Sequence, residues 1–292
     1  MQDSISVRTP AKINLSLDIL GKKHNGYHFI KSIMQTVSLY DEITVKPNGI
    51  SKIRITCDNP NIPCDSNNLV YKAAVEFFSY IDCVTNGIDV DIIKRIPEMA
   101  GLAGGSSDAA GMIVALNALM ETELSKDELC DIGAKVGADV PFCIIGSTAL
   151  AEGVGDIISP LPNLEECYFV IVKPDISIST PEAFAKFDKL DVPKSSEFND
   201  LIAAIAMHDI KKISSLLFNA LEYASNDPKV LRIKDELLDL GALGALMSGS
   251  GSAVYGIFEK KKYASRCADE LEDKYGFVEV CTPVVNGAEI ID

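Results

Sequence analysis

From Lys12 to Asp18 polar and apolar residues alternate without a break, with Ile13, Leu15, Leu17 and Ile19 on one face and Lys12, Asn14, Ser16 and Asp18 on the other. A period of two is that of a β-strand, so Lys12 and Asn14 are predicted to project from the same side. Asn25-Gly26 is a two-residue hairpin signal, and Tyr27, His28, Phe29 and Ile30 begin the return strand. Tyr27 and His28 therefore fall beside a turn, where binding residues concentrate. Further strands are predicted over 33–39, 42–46 and 52–57, followed by a helix near 67–80. Ser125 with Glu128 three residues on is a capping box, predicting a helix to about Val136 that Gly137 closes. After a strand over 147–152, Gly153, Gly155, Pro160 and Pro162 break the pattern. A domain boundary drawn there divides the chain into 1–160 and 161–292.

The second part reads as a strand (168–173), helices (about 181–187, 199–206, 210–223 and 228–240), two strands (243–247 and 253–258), a helix (261–274) and a strand (277–282). With the helices merged the order is β-α-β-β-α-β, expected of a ferredoxin-like layer of helices on an antiparallel sheet. The expected fold class is α+β. The small-residue loop Ser248-Gly249-Ser250-Gly251-Ser252 separates the middle strands. It serves either as a plain hairpin turn or as a second wall of an anion site.

Between the two patterns lies Pro97, Glu98, Met99, Ala100, Gly101, Leu102, Ala103, Gly104, Gly105, Ser106, Ser107, continuing through Asp108 to Gly111. Alternation at Ile88, Val90, Ile92 and Ile96 precedes it and a helical apolar run (Met112, Ile113, Ala115, Leu116, Leu119) follows, so it reads strand, glycine loop, helix start. Small residues let the backbone approach a ligand, and the first N–H groups of a helix have no internal acceptor; phosphate fits such a place. Ser106, Ser107 and Asp108 are of the types that favour N-caps, and the two hydroxyls can reach phosphate or a phosphate-bound Mg²⁺. Neither a closing Gly-Lys-Ser/Thr nor G-x-G-x-x-G spacing is present. Any strand can also pass into a helix this way, and support has to come from elsewhere in the chain.

The 292 residues, 47% hydrophobic and 24% charged, suffice for one large or two moderate domains. A net charge of −15 and a pI near 4.7 exclude a general nucleic-acid or anionic-membrane binder, which needs an extended basic surface. Phosphate binding would have to be local. The first residues lack a charged segment followed by an apolar one, and no apolar run reaches membrane-spanning length, so the expected location is cytoplasmic. Eight cysteines form no C-x-x-C pair and are read as reduced. His24, His28 and His208 have no ligand spacing, so no protein-held metal is expected; any metal should arrive with substrate phosphates.

Three separated stretches resemble one family. PAKINLSLDILGKKHNGYH (10–28), PEMAGLAGGSSDAAG (97–111) and LMSGSGSAVYGIF (246–258) are similar to the three motifs of the GHMP kinases, in the same order. Within that superfamily, Pro10 to Leu15, Gly26-Tyr27-His28 and Gly137 to Phe142 resemble the branch that acts on 4-diphosphocytidyl-2-C-methyl-D-erythritol, and the similarity runs over nearly the whole chain. The resemblance implies a ribosomal-protein-S5-like N-terminal domain and an active site in the cleft between two domains. It also implies ATP- and Mg²⁺-dependent phosphorylation of the 2-hydroxyl of that small molecule, in non-mevalonate isoprenoid synthesis, by a monomer or homodimer. The residues it implies are Lys12 and Asp139 for catalysis, Pro97 to Ser107 for ATP, and Asn14, Tyr27, His28, Asp139 and Phe184 for the substrate. Phe184, beside Thr180 and Pro181, would face the cytosine opposite Tyr27. Ala100 and Ala103 stand where many relatives carry glycine.

Phosphoryl transfer to an alcohol needs a held triphosphate, neutralised charge and a proton acceptor. Asp139 is the candidate acceptor, with Lys12 holding it ionised. The plainer alternatives are an aspartate that caps a helix, a solvated strand lysine, and aromatic rings that only pack. Other functions in view are another GHMP small-molecule kinase and a non-catalytic nucleotide-binding sensor.

Overall fold

The computed structural model describes residues 3–24, 26–83, 87–190 and 197–291. In chain order the first half comprises β1 (Ile5–Lys22), β2 (His28–Pro47), β3 (Ile53–Cys57), α1 (Leu69–Tyr80), β4 (Ile88–Ile93), α2 (Gly104–Leu119), α3 (Lys126–Val136), α4 (Val140–Ile145), β5 (Thr148–Glu152) and β6 (Ile157–Pro160). The second half comprises β7 (Tyr168–Lys173), α5 (Thr180–Phe187), α6 (Phe198–Ala206), α7 (Ile210–Ser215), β8 (Phe218–Asn219), α8 (Ala220–Ser225), α9 (Pro228–Asp239), β9 (Gly244–Met247), β10 (Val254–Phe258), α10 (Lys261–Glu272), β11 (Phe277–Cys281) and β12 (Glu289–Ile291).

Two long antiparallel strands frame the first sheet, and each is long enough to serve two neighbours. β2 pairs with β4 through 42–47 and with β5 through 32–35, while β1 pairs with β12 at 6–8 and with β8 at 16–17. The main path is β12-β1-β2-β4-β3. The strands predicted separately at 33–39 and 42–46 are one, because β1 supplies partners along the whole of β2 with register shifts in place of a break. The expected two-residue hairpin is longer: β1 and β2 pair only as far as Lys22 and His28, leaving 23–27 as the connection. Asn25 lies outside the described residues.

The second sheet has the order β11-β7-β10-β9, all antiparallel, which is the ferredoxin-like arrangement. Its two faces enter different cores. Phe169, Ile171, Tyr255 and Ile257 pack toward β1 and β2, joining Ile13, Leu15 and Ile33. Val170, Val172, Val254 and Phe258 face α9 and α10 through Val230, Ile233, Leu237, Ala264 and Leu271. A third core holds α1, α2 and α4 against the first sheet. The alternation on β1 is real, but its polar side is not a solvated one: Lys12, Asn14, Ser16 and Asp18 are all buried, since β1 is covered on both faces.

The capping box forms as predicted, the Ser125 N–H donating to Glu128 and the Glu128 N–H returning to Ser125 Oγ. The single helix predicted over 210–223 does not. Asn219 interrupts it, its Nδ2 donating to the carbonyls of Met247 (2.7 Å) and Gly249 (2.8 Å) while its Oδ1 caps the Leu221 N–H. α4, β6 and β12 carry too short a pattern to be read from sequence. Through β12 the chain returns at its far end to the sheet in which it began.

Candidate active site

A cavity of about 1070 Å³ lies where the two sheets meet. Its walls come from β1 and the 23–27 connection, the segments 62–69 and 94–106, Ala138-Asp139, α5 and the 249–250 turn. Lys12, Asn14, Tyr27, His28, Asp139 and Phe184 all reach it, as does every residue from Pro97 to Ser106. Ser107 does not. It is fully buried, its hydroxyl donates to the Pro10 carbonyl at 2.6 Å, and its N–H is bonded to Ala103 O at 2.8 Å, so neither group is available to a phosphate.

At one end the 97–106 loop is locked from behind. The carbonyl of Ala100 accepts from Ala253 N–H (3.1 Å), that of Gly101 from Ser248 Oγ (3.0 Å), and that of Leu102 from Lys12 N–H (3.1 Å). Gly101 has φ +75°, and a Cβ there would sit 2.0 Å from the Ser248 carbonyl oxygen, so only glycine fits. The N-cap of α2 is Ala103, at φ 58°, with no side-chain cap. The N-cap role expected of Ser106, Ser107 and Asp108 is therefore not taken up, since all three lie inside the helix. Ser107 N–H makes the first helical bond, and the amides of Gly104, Gly105 and Ser106 have no acceptor within the helix. Such a set suits an anion.

In the middle, Lys12 Nζ donates to Asn14 Oδ1 at 2.8 Å and stands 3.9 Å from Asp139 Oδ2. Lys12 is 5% exposed and Asp139 35%, so the cation is walled in while the carboxylate looks into the cavity. Asn14 is steadied by its own donation to Ser32 Oγ (2.8 Å), and its carbonyl takes the Tyr255 hydroxyl at 2.8 Å. The buried second sheet thereby props the strand that carries Lys12. Asp139 occupies the N-cap position of α4, yet its side chain makes no capping hydrogen bond.

At the other end, His28 lies flat on Phe184, ring centroids 4.6 Å apart at 21°. Its Nε2 is 2.7 Å from Asp188 Oδ1, and Asp188 also receives Lys22. Hydrogen bonds from Lys22 and then His28 hold the Asp188 carboxyl below its ordinary range. Tyr27 is 62% exposed at the rim. The face of Phe184 that meets a ring thus meets His28.

The arrangement has close counterparts. Residues 68–147 match the model of the GHMP kinases N terminal domain and residues 201–276 that of GHMP kinases C terminal. A 4-diphosphocytidyl-2-C-methyl-D-erythritol kinase from Lachnoclostridium phytofermentans is 43% identical over 266 residues, 90% of this chain and 91% of that protein. The chain belongs to the GHMP kinases. Among solved structures, a 4-(cytidine 5'-diphospho)-2C-methyl-D-erythritol kinase superposes with a TM-score of 0.80 at 31% identity, covering 96% of this chain and 99% of that one. A homoserine kinase from Cytophaga hutchinsonii, at 22% identity, gives 0.81 over 100% and 98%, which speaks for the shared fold alone. As a GHMP kinase the chain is an ATP-dependent enzyme of α+β fold.

Sequence reading missed several groups of this GHMP kinase site. Asp188 follows the α5 helix without any motif, and Asn59, which donates to Glu98 at 2.7 Å and ties the 58–68 segment to the loop, sits in a stretch with no periodicity. Asp41, on β2, and Lys94, just past the end of β4, are brought together only by the sheet.

Proposed function

We propose that this protein transfers the γ-phosphoryl group of ATP to the 2-hydroxyl of 4-diphosphocytidyl-2-C-methyl-D-erythritol, a step of non-mevalonate isoprenoid precursor synthesis. The observation that carries the reading is Asp139, a carboxylate at a helix start that caps nothing and faces the Lys12 ammonium 3.9 Å away, midway along the cavity. The acceptor follows from the relatives at 31% and 43% identity and from an aromatic end suited to a pyrimidine.

The amides of Gly104 to Ser106 receive the triphosphate, and the Tyr27–His28–Phe184 end receives the cytosine, which brings the hydroxyl to Asp139. The acceptor oxygen bonds to the γ-phosphorus as the bond to the β–γ bridging oxygen breaks, and ADP leaves. The hydroxyl proton passes to the Asp139 carboxylate, a contribution of about 10²–10⁴ in rate. Lys12 sets a cation opposite that carboxylate, 3.9 Å away. Mg²⁺ suits the site as a hard cation: the nearby donors, Asp139 and Ser106, offer oxygen, and no three His, Cys, Asp or Glu side chains among the described residues group to hold a metal by themselves. Bound with the phosphates, it would offset the charge developing on them.

We further read the enzyme as a cytoplasmic monomer or homodimer with no nucleic-acid partner; the net charge of −15 speaks against a polyanionic partner, and eight free thiols fit a reducing compartment. Among the described residues no helix is long and apolar enough to cross a membrane. A division near residue 160 is supported by the second sheet's beginning at β7, with β8 and β12 crossing back to pair with β1 in the first sheet.

The test is ADP release from ATP and Mg²⁺ with the cytidyl acceptor beside mevalonate, homoserine and galactose, for wild type and Asp139→Asn. Turnover with the cytidyl acceptor alone, lost in the variant, is expected. Turnover only with another acceptor would discard the pyrimidine pocket, and tight ATP binding without transfer to any of them would leave a sensor.

A further inference from the structure

Beneath the phosphate loop is a cluster of nearly buried charges that the proposed reaction does not use, with Lys94 and Asp108 bordering the cavity. Asp41 on β2 is fully buried, and its Oδ1 accepts the N–H groups of Arg95 (2.5 Å) and Ile96 (2.8 Å), the residues that lead from β4 into the loop. Its Oδ2 accepts from Lys94 Nζ, which also donates to Asp108 Oδ2 at 2.7 Å. Asp108 lies early in α2, on the far side of the loop, and its Oδ1 takes the Thr9 hydroxyl at 3.1 Å. The Lys94 ammonium would lie 3.2 Å from a Cβ placed on Gly104, the first residue of that helix. All three side chains are 5% exposed or less. Burying one ammonium and two carboxylates commonly costs more than their attraction returns, so stability alone does not account for the cluster.

We propose that Asp41 is a positioning residue for the nucleotide: through the amides of 95 and 96, and through Lys94 and Asp108, it fixes the incoming and outgoing arms of the loop at one separation. The inference rests on the loop holding the triphosphate. It also has a sign that a bystander lacks. Deleting an ionised carboxylate that merely stood nearby would remove a negative charge and tighten binding of the polyanionic nucleotide. Deleting a positioning carboxylate loosens it.

The experiment titrates ATP with Mg²⁺ into the full-length protein by calorimetry, with KM for ATP and for the acceptor measured in parallel. Asp41→Asn and Asp108→Ala are each expected to raise the ATP Kd at least tenfold while the acceptor KM at saturating ATP stays within twofold. Asp108→Asn, which keeps an oxygen for Lys94, is expected to restore affinity to within about threefold of wild type. If wild type itself binds no ATP, the reading of the loop falls and the inference with it. If wild type binds and folded Asp41→Asn binds equally or more tightly, only the inference falls. Parallel losses in both KM values, or failure of both Asp41→Asn and Asp108→Ala to fold in a thermal melt, would make the cluster a general structural element and overturn the proposal.

Discussion

The two ends of the cavity are built from different materials. The phosphate end is backbone, held from behind by carbonyl bonds at Ala100, Gly101 and Leu102 and by the buried acid–lysine cluster. The acceptor end is side chains: Tyr27 on an exposed connection, Phe184 on an eight-residue helix, and His28 held between that ring and Asp188. A homoserine kinase, named for a different acceptor, has the same fold. On the proposed reading, ATP is held by groups that cannot change without disturbing the packing around them, and the acceptor by side chains that line the other end.

The strongest attack falls between the two ends. Asp139→Asn and Lys12→Met should each lower kcat by at least ~10², with thermal melts near wild type, if both side chains act on the reaction as proposed. Next comes Gly101→Ala, where a positive φ and a 2.0 Å clash combine. A cost of about 1–3 kcal/mol for the strained backbone is expected in denaturant unfolding, together with a raised KM for ATP and an unchanged acceptor KM. Tyr27→Ala should do the reverse, raising the acceptor KM about tenfold or more, as befits a stacked face worth roughly 1–3 kcal/mol, without touching the KM for ATP. Equal changes in both KM values would erase the distinction between the ends.

Acidity separates them too. Burial pushes the Asp108 carboxyl up to about 7, Lys94 opposing and Asp41 adding. The folded state therefore holds a proton that the unfolded chain gives up near 3.8, and this group's contribution to stability falls as pH rises through that window. Asp188 is depressed, so its contribution is present above 3.8 and is lost as pH falls below it. Chemical denaturation between pH 5 and 8 should thus show a slope that Asp108→Asn flattens and Asp188→Asn leaves alone. The smallest change expected is a gain: Ala103→Gly relieves a left-handed alanine and should add about 1 kcal/mol to unfolding stability.

Much of this could be read from the chain. Strict alternation on β1 placed Lys12 beside Asn14, the capping box at Ser125 marked α3, and the β-α-β-β-α-β order anticipated the second sheet. These signals are local. What stayed hidden depends on partners far off in sequence. Nothing near Asn219 announces that its amide will be drawn to carbonyls 28 and 30 residues away, and nothing near Asp41 announces Arg95 and Ile96. Ser107 followed the right composition for an anion-binding turn, but a helix has an inside, and its hydroxyl turned there to Pro10.

The return of the chain to its first strand also bears on how the protein is made. Arg8 and Glu289, bonded across β1 and β12, are 281 positions apart. At roughly 5–20 residues per second, a ribosome holds the early sheet with an unpaired edge for many seconds before the strand that covers it emerges. Every residue given a part in binding or transfer lies before Glu289, so a chain cut after Ala288 would carry the whole of its chemistry and still present that open edge to its neighbours. Its failure would appear as aggregation in the cell, rescued by chaperones or by the missing strand supplied as a peptide, and not as a defect in the reaction.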